Sequence, residues 1–439
     1  MRASKGGQAI NDIIVSLSSI YISIATAFIF ALLLLYLMSA YAEAIAWICI
    51  FLTAAGCFGG AICCWFMRSS LIADRGVAAD GTALSGDNAD DNQTECFWLL
   101  VGAIGLAAVG CCFTCCVVCG YKHVKIAIEV IDASADFTVE NKRVIGVPIL
   151  YFFITLISFF VWLYSLACVV ALNPITADNG IIPQNRTIEW HGYWRLAAAG
   201  MVFGILWILA WWNYSSKFVV MAAATTYYFN SNAEEEGPAE LMYSFKLAHV
   251  YHTGSIAVGA FIIALIEFIK LVFMYLAKQA EKASGGNKLI KAIVCVAECI
   301  LTCIEKICDY INVSAYAYIC VTGDGFCEGA WKGFLLNVKH MLEFTFANYI
   351  AKIFILLGKV ALTVVNCFML VFIMKDITGV ADTIHSIWGP VAVTGLITWI
   401  AASLFLGIFE NAVMALMTCL AVDMDLHDGD PKYGPSTFH

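Results

Sequence analysis

Residues 249–270 read HVYHTGSIAVGAFIIALIEFIK, a long apolar run in which small residues recur at helical spacing. Within it, Ser255 and Gly259 lie four positions apart. Residues i and i+4 share one face of a helix, so these small side chains form a face that a second helix can approach closely. The run therefore predicts a membrane helix, starting near Val250, that makes a close helix–helix contact at Ser255 and Gly259.

The composition of the whole chain is that of a protein that lies in a bilayer. Of its 439 residues, 62% are hydrophobic and 13% are charged, whereas a soluble domain carries about 25% charged residues. The mean hydropathy is +0.84. Crossing a hydrocarbon core takes about 20 apolar residues in a helix, and several runs reach this length. These runs are apolar all round, without the alternation of barrel strands, which excludes a membrane β-barrel.

We therefore predict an all-α fold, a polytopic transmembrane helical bundle of about 8–9 spans. Residues 1–439 are expected to form a single transmembrane domain that ends in a short polar tail, residues 423–439, which we expect to be frayed. The fifth span is longer than a bilayer needs, which indicates a cytosolic extension. The predicted spans cover about residues 13–39, 44–67, 97–120, 144–172, 194–229, a helix from about 250, 353–374 and 391–422.

Residues 290–330 fit neither a loop nor a plain apolar span. A charged side chain costs about 2.5–3.5 kcal/mol at the centre of an inserted helix. The segment therefore predicts either an amphipathic helix on the membrane surface or a span whose polar face lines a water-filled path. Its polar residues fall on one helical stripe, which consists of Lys291, Glu298, Thr302, Glu305, Asp309 and Asn312.

Two sequons and one basic segment predict the orientation in the membrane. Asn92 and Asn185 each begin an Asn-x-Thr sequence, a glycosylation acceptor when it faces the outside. Two crossings separate the loops that hold them, so both lie on the same side. The basic residues of 121–143 then lie inside, as the positive-inside rule prefers. The sequence thus predicts a glycoprotein with Asn92 and Asn185 outside.

Residues 249–334 contain a series of motif residues in a fixed order, namely Tyr251, His252, Gly254, Ser255, Ala257, Gly259, Cys303, Glu305, Lys306, Asn312, Ala315, Tyr316, Gly323, Phe326 and Cys327. In these residues the chain resembles the choline transporter-like solute carrier family, and the likeness extends over nearly the whole chain. The family's cytosolic start, first helix and large extracellular loop have no counterpart here, and Met414 stands where many members carry an aspartate.

This resemblance implies a transporter of choline or a related amino-alcohol cation such as ethanolamine, working by alternating access. It implies uptake of a phospholipid precursor at the plasma membrane, with an organellar membrane such as the mitochondrial one as the alternative. The competing interpretation is a non-transporting structural or interaction subunit of a membrane complex that retains the fold. The expected partners are a small organic cation and the lipid bilayer.

Aromatic residues suggest where such a cation could bind. A quaternary ammonium group is recognised by aromatic faces and a nearby negative charge. The fifth span carries an aromatic stripe that could form one wall of a cage if it faces the bundle interior, or an interfacial belt if it does not. The stripe consists of Phe203, Trp207, Trp211, Tyr214 and Phe218, and the further candidates are Trp162, Tyr251, Ser255, Trp388 and Trp399.

Ionisable residues in apolar surroundings form a second set of candidates. A charge inside a membrane is costly, so such a residue is a functional-site hypothesis. Glu410 has no basic neighbour in sequence, which leaves cation contact and packing against a polar neighbour equally open. Glu267 has Lys270 one turn on, which favours a local ion pair, with proton coupling as the alternative. His252, like His249, is a candidate for proton coupling or for a structural hydrogen bond.

Other functions are excluded or disfavoured by the sequence. The formal net charge of −9 argues against nucleic acid as a partner. No GxSxG, HExxH or P-loop motif is present, so we expect no enzyme, no cofactor and no metal. The 19 cysteines lie mostly in or beside apolar runs and are predicted to be small core residues or, near the membrane surface, sites of S-palmitoylation.

Overall fold

The computed structural model describes residues 11–74, 89–173, 175–177, 186–188, 192–283 and 288–439. Among these residues the regular structure is helical except for one short antiparallel pair, β1 (Ile175–Ala177) and β2 (Arg186–Ile188). The helices are α1 Leu17–Ala40, α2 Ala42–Asp74, α3 Ala89–Cys119, α4 Tyr121–Glu140, α5 Gly146–Ala171, α6 Gly192–Asn230, α7 Leu241–Lys246, α8 Thr253–Ala283, α9 Lys288–Thr322, α10 Phe326–Lys339, α11 Met341–Phe372 and α12 Trp388–Leu426.

The predicted transmembrane bundle is confirmed. Within the described part of the chain, eight helical segments are long and apolar enough to cross a bilayer, and they contain α1, α2, α3, α5, α6, α8, α11 and α12 in whole or in part. The predicted extension of the fifth span is present, because α6 runs unbroken from Gly192 to Asn230. The seventh predicted span corresponds to α11, which starts at Met341 and not at the predicted residue 353, because its first turns pack into the core.

The main hydrophobic core lies at one end of the bundle. There α4 is buried along most of its length, with Val130, Ile131 and Phe137 fully enclosed. The second halves of α6 and α12 and the first turns of α11 pack around it. The opposite halves of the spans expose large apolar side chains, as helices do that face lipid.

The cysteines are placed differently from the prediction. Only Cys49, Cys96 and Cys419 of the described chain are buried, whereas those of residues 111–119 are exposed on α3. The expectation of small core residues is therefore wrong for that run. Helical spacing alone cannot tell a lipid-facing position from a protein-facing one in a segment that is apolar all round.

Most of the polar segment of residues 290–330 lies in the long helix α9, which runs antiparallel to α8, and its last residues begin α10. The Tyr316 hydroxyl donates to the Ile256 carbonyl (3.1 Å), and the Asn312 amide donates to the Gly259 carbonyl (3.0 Å). Further along, Lys270 Nζ lies 2.9 Å from Glu305 Oε2. The later part of the polar stripe thus faces α8, through Glu305 and Asn312, whereas Lys291 near the start of α9 is exposed. Because of its charged residues, α9 is not one of the eight apolar segments that are long enough to cross a bilayer.

Gly259 makes the close contact that the small-residue spacing predicts. A Cβ atom at this position would overlap the Tyr316 hydroxyl and lie 2.9 Å from Phe326 Cε2. Glycine is therefore required here by the approach of α9 and α10. Ser255, one turn earlier, is half-buried.

The C-terminal residues are docked on the core, so the expectation of a frayed tail is wrong. The Asp423 carboxylate, 1% exposed, accepts a hydrogen bond from the Tyr228 hydroxyl (3.0 Å). The same oxygen accepts the backbone N–H groups of Lys432 and Tyr433, each at 2.9 Å. Gly434 turns the chain with a φ of 103° and packs against Tyr228. This buried carboxylate, the hydrogen bond from the Gly434 N–H to the Ser231 carbonyl (3.2 Å) and the ring contact of Phe438 with Tyr228 thus hold residues 427–438 against α6.

Asn185 lies outside the described residues, and so does the side chain of Asn92. The segment between α5 and α6 contains β1 and β2 and follows the end of α5 that is remote from α4.

We expect Asn92→Gln and Asn185→Gln each to remove one glycan from the protein expressed in eukaryotic cells. Gel mobility before and after enzymatic deglycosylation measures this. Glycosylation of an acceptor sequon introduced within residues 121–143 would contradict the orientation.

Candidate functional site

A polar cavity lies between α5, α6, α9, α11 and α12. Its volume is about 600 Å³, within the range of about 300–1,000 Å³ that small-molecule sites occupy. We call it the Glu410 cavity, after the carboxylate that α12 contributes. Asn213 and Asn411 add amide groups to its wall. Its charged lining residues are Lys217, Lys306, Lys352, Asp309 and Glu410.

A second cavity of about 470 Å³ lies between α6, α8 and α9, and we call it the Glu267 cavity. On α6 its lining starts at Leu206, whereas the lining of the Glu410 cavity starts at Asn213. Seven residues of helix correspond to about 10 Å, so the two cavities are offset along the helix axis. Both are lined by Asn213, Lys217, Lys306 and Asp309, which we call the shared wall.

The shared wall contains a cation held by an aromatic ring and a carboxylate. The Tyr214 hydroxyl, on α6, donates to Asp309 Oδ1 on α9 at 2.5 Å. Lys217, one turn further along α6, places its Nζ atom 3.7 Å from the same oxygen. That Nζ atom also lies 5.0 Å from the centroid of the Tyr214 ring. The arrangement combines a cation–π contact with an ion pair.

The aromatic stripe of α6 does not form one continuous cavity wall. Of its five residues, Tyr214 alone is among the described side chains that line these two cavities. Trp207 donates its indole N–H to the Ala257 carbonyl (3.0 Å) and packs against α8. Phe203 also contacts α8, through Phe261, and Phe218 is buried against Tyr316.

Trp211 packs inside the bundle. Its ring is stacked on that of Trp212, with the ring centroids 4.7 Å apart. Its buried indole N–H has no hydrogen-bond partner among the residues that the structure describes. Trp162 donates its indole N–H to the Met201 carbonyl at 2.9 Å and so joins α5 to α6. Trp162 thus joins two helices, whereas the stacking of Trp211 on Trp212 is a contact within α6.

The two candidate acids line different cavities. Glu410 faces the Glu410 cavity, together with Lys352 of α11. Glu267 faces the Glu267 cavity. The predicted ion pair of Glu267 with Lys270 is not formed, because Lys270 Nζ binds Glu305 of α9 instead. The sequence could not show this partner, since it lies on another helix.

The remaining candidates lie away from both cavities. His249, in a π-helical turn, forms a hydrogen bond with the Tyr151 hydroxyl, and burial lowers the pKa of its imidazole. His252 packs against Phe218, and Tyr251 is exposed beneath the Lys246 ammonium. Trp388 and Trp399 are also exposed.

Sequence reasoning missed Lys217 and did not assign Asp309 to a binding site. Asp309 belongs to the predicted polar stripe, and Lys217 follows Tyr214 at the i+3 position that shares its helix face. Those two signals were present, but nothing in the sequence indicated that α6 and α9 pack against each other.

Comparison with known proteins gives one family and several relatives. A family model described as plasma-membrane choline transporter matches residues 104–425. Choline transporter-like protein 1 of Xenopus laevis is 23% identical over 416 residues, which are 92% of this chain and 60% of the relative. The protein of that name from Torpedo marmorata is 26% identical over 413 residues, with the same coverage. Human choline transporter-like protein 3 is 24% identical over 321 residues, which are 71% of this chain and 46% of the relative. The chain thus spans about 60% of the length of the first two relatives.

Proposed function

This chain belongs to the choline transporter-like family, and on that premise we propose that it carries choline or a related organic cation across the plasma membrane. The family supports a transporter-like role in a membrane for this multi-pass protein. The choice of choline and the alternating exposure of its site are our proposal. The observation that carries it is the pair of axially offset cavities with carboxylates in their walls.

The proposed route runs along α6 and α9. The Glu267 cavity lies toward the first residues of α6, and the Glu410 cavity lies toward its second half. We propose that α9 crosses the membrane beside α8, so that its polar stripe lines this route. The antiparallel contacts from Tyr316–Ile256 to Glu305–Lys270 support a span over a surface helix.

In this scheme the carboxylates attract the cation, and an aromatic face completes its site. Glu410, Glu267 and Asp309 each present a carboxylate to one or both cavities. Tyr214 presents the aromatic face, because its ring already holds an ammonium group. Rearrangement of the shared wall would then expose the bound cation first to one cavity and then to the other.

One observation favours the non-transporting subunit as a second candidate. The Glu410 cavity carries three lysines against two carboxylates, a positive excess that opposes a cation. Met414, which stands in place of the family aspartate, lines the same cavity and adds no negative charge. A scaffold would tolerate both features.

Uptake of radiolabelled choline by a transport-deficient cell that expresses this chain distinguishes the transporter from the non-transporting subunit. We expect the chain to support uptake, and Glu410→Gln to weaken apparent choline affinity about tenfold, which corresponds to about 1.4 kcal/mol. The matched control is Glu234→Gln, which removes an exposed acid remote from the cavity and should leave uptake unchanged. Unlabelled ethanolamine in excess tests the related substrate. Surface expression without uptake would favour the scaffold.

A further inference from the structure

We propose that Lys217 is a tethered cation that occupies the binding site of the transported cation, and that the ligand must displace it. This inference rests on the proposed function and assigns the site to Tyr214 and Asp309. The Lys217 ammonium then marks where the ammonium group of the ligand binds. The class of ligand is a quaternary or otherwise fully alkylated ammonium ion.

The geometry around Lys217 is that of a site for such an ion. A quaternary ammonium group cannot donate a hydrogen bond, so it needs an aromatic face within about 6 Å and a carboxylate nearby. The Lys217 Nζ atom lies 5.0 Å from the Tyr214 ring centroid. Its 3.7 Å distance from Asp309 Oδ1 is longer than a hydrogen bond. The lysine therefore uses only the contacts that a trimethylammonium group can also make.

The site stays in place when the lysine leaves. Asp309 is oriented by the hydrogen bond from the Tyr214 hydroxyl, not by the lysine. Tyr214 is 2% exposed, and its ring packs against Tyr316, with centroids 5.4 Å apart. The aromatic face and the carboxylate are thus fixed by helix packing. Displacement of Lys217 leaves them ready for a second cation.

The lysine is held weakly enough to be displaced. Side chains of the pair are 24% exposed at Lys217 and 47% exposed at Asp309. Ion pairs that are open to water contribute little to stability, because solvent already screens both charges. A lysine side chain also has four rotatable bonds, so its ammonium can swing into either cavity while the backbone of α6 stays still.

The charges in the two cavities determine from which side a ligand cation approaches Asp309 to replace Lys217. The Glu267 cavity is lined by Glu267, Glu305 and Asp309, but Glu305 is paired with Lys270, which leaves two carboxylates against the two lysines of the wall. The Glu410 cavity has two carboxylates against three lysines. A cation therefore meets less positive charge on the Glu267 side and approaches Asp309 from there. When it departs, Lys217 returns, so the carboxylate is never left without a counterion.

Binding of radiolabelled choline and of tetramethylammonium to the purified full chain in detergent tests the inference. We expect Lys217→Met to tighten binding of both probes about tenfold, because the competing cation is gone. Asp309→Asn should weaken binding at least tenfold. In the Asp309→Asn background, Lys217→Met should have no effect, since the two cations no longer compete for a carboxylate.

Lys246→Met is the matched control. It removes an ammonium group that lies 5.6 Å from the centroid of the Tyr251 ring, outside the lining of both cavities. Its effect should stay within twofold, and melting temperatures show whether each variant is folded. Equal effects of Lys217→Met and Lys246→Met, or an effect of Lys217→Met that persists with Asp309→Asn, would overturn the inference.

The outcomes separate this inference from the proposed function. If the wild-type chain binds choline and Lys217→Met binds it no more tightly, the tethered cation is wrong and the function stands. If the wild-type chain does not bind choline but Lys217→Met binds tetramethylammonium, the site stands and choline is the wrong ligand. If no variant binds either ion, both proposals are wrong.

Discussion

Replacing Gly259 by leucine is expected to abolish the folded protein, and replacing it by alanine to destabilise the fold by about 1–3 kcal/mol, the usual cost of overpacking. The added Cβ atom overlaps the Tyr316 hydroxyl, which is buried and donates a hydrogen bond to the Ile256 carbonyl. Tyr316 cannot move without losing that bond and its ring contact with Tyr214. Size-exclusion profiles and melting temperatures of the detergent-solubilised variants measure the effect.

Gly254 provides the control on the same helix. A Cβ atom there meets nothing within 4 Å, so Gly254→Leu should leave the elution profile and melting temperature unchanged. A folded Gly259→Leu with the wild-type melting temperature would show that α9 does not pack on this face of α8. The face would then meet lipid.

Asp423→Ala should destabilise the core end of the bundle by about 2–4 kcal/mol, because this buried carboxylate accepts three hydrogen bonds that the variant cannot form. The change leaves the buried Tyr228 hydroxyl and the N–H groups of Lys432 and Tyr433 without their acceptor. Each buried donor left unpaired costs about 1–3 kcal/mol. We expect a lower melting temperature and release of residues 427–438, which limited proteolysis detects.

Asp423→Asn removes the charge of this side chain but keeps one acceptor oxygen. Its amide oxygen can still accept the hydrogen bonds of Tyr228 and the two N–H groups, whereas the contact of the other carboxylate oxygen with His427 is lost. Its melting temperature should lie between those of the wild type and Asp423→Ala. Asp430→Ala, at an exposed position of the same segment, should have no effect. Equal stability of Asp423→Ala and Asp430→Ala would contradict the docked tail.

The spans were predictable because the bilayer imposes a length and a composition on each of them. The contact at Gly259 was predictable because small residues at helical spacing indicate close approach. The burial of α4 was not predictable. Its stretch VKIAIEVIDA is amphipathic, and such a pattern fits a membrane surface as well as a core. The docked tail escaped prediction because Tyr228, the partner of Asp423 on α6, lies almost 200 positions away in the sequence.

The candidate site was predictable only in part. Tyr214 and Glu410 were identified from residue type and surroundings, and both line cavities. The pairing of Lys217 with Asp309 depends on how α6 and α9 are rotated about their axes, which neither sequence run specifies. The same is true of Lys270, whose partner is on α9 and not on its own helix.

The antiparallel pairing of α8 with α9 has a consequence for biosynthesis. A helix carrying charges such as Glu305, Lys306 and Asp309 is costly to transfer alone from the insertion channel into hydrocarbon, at about 2.5–3.5 kcal/mol for each charge near its centre. Lys270 of α8 neutralises Glu305, and Tyr214 of α6 donates to Asp309. We therefore expect the translocation machinery to retain α8 until α9 has emerged from the ribosome, and to release the two together as a hairpin onto α6.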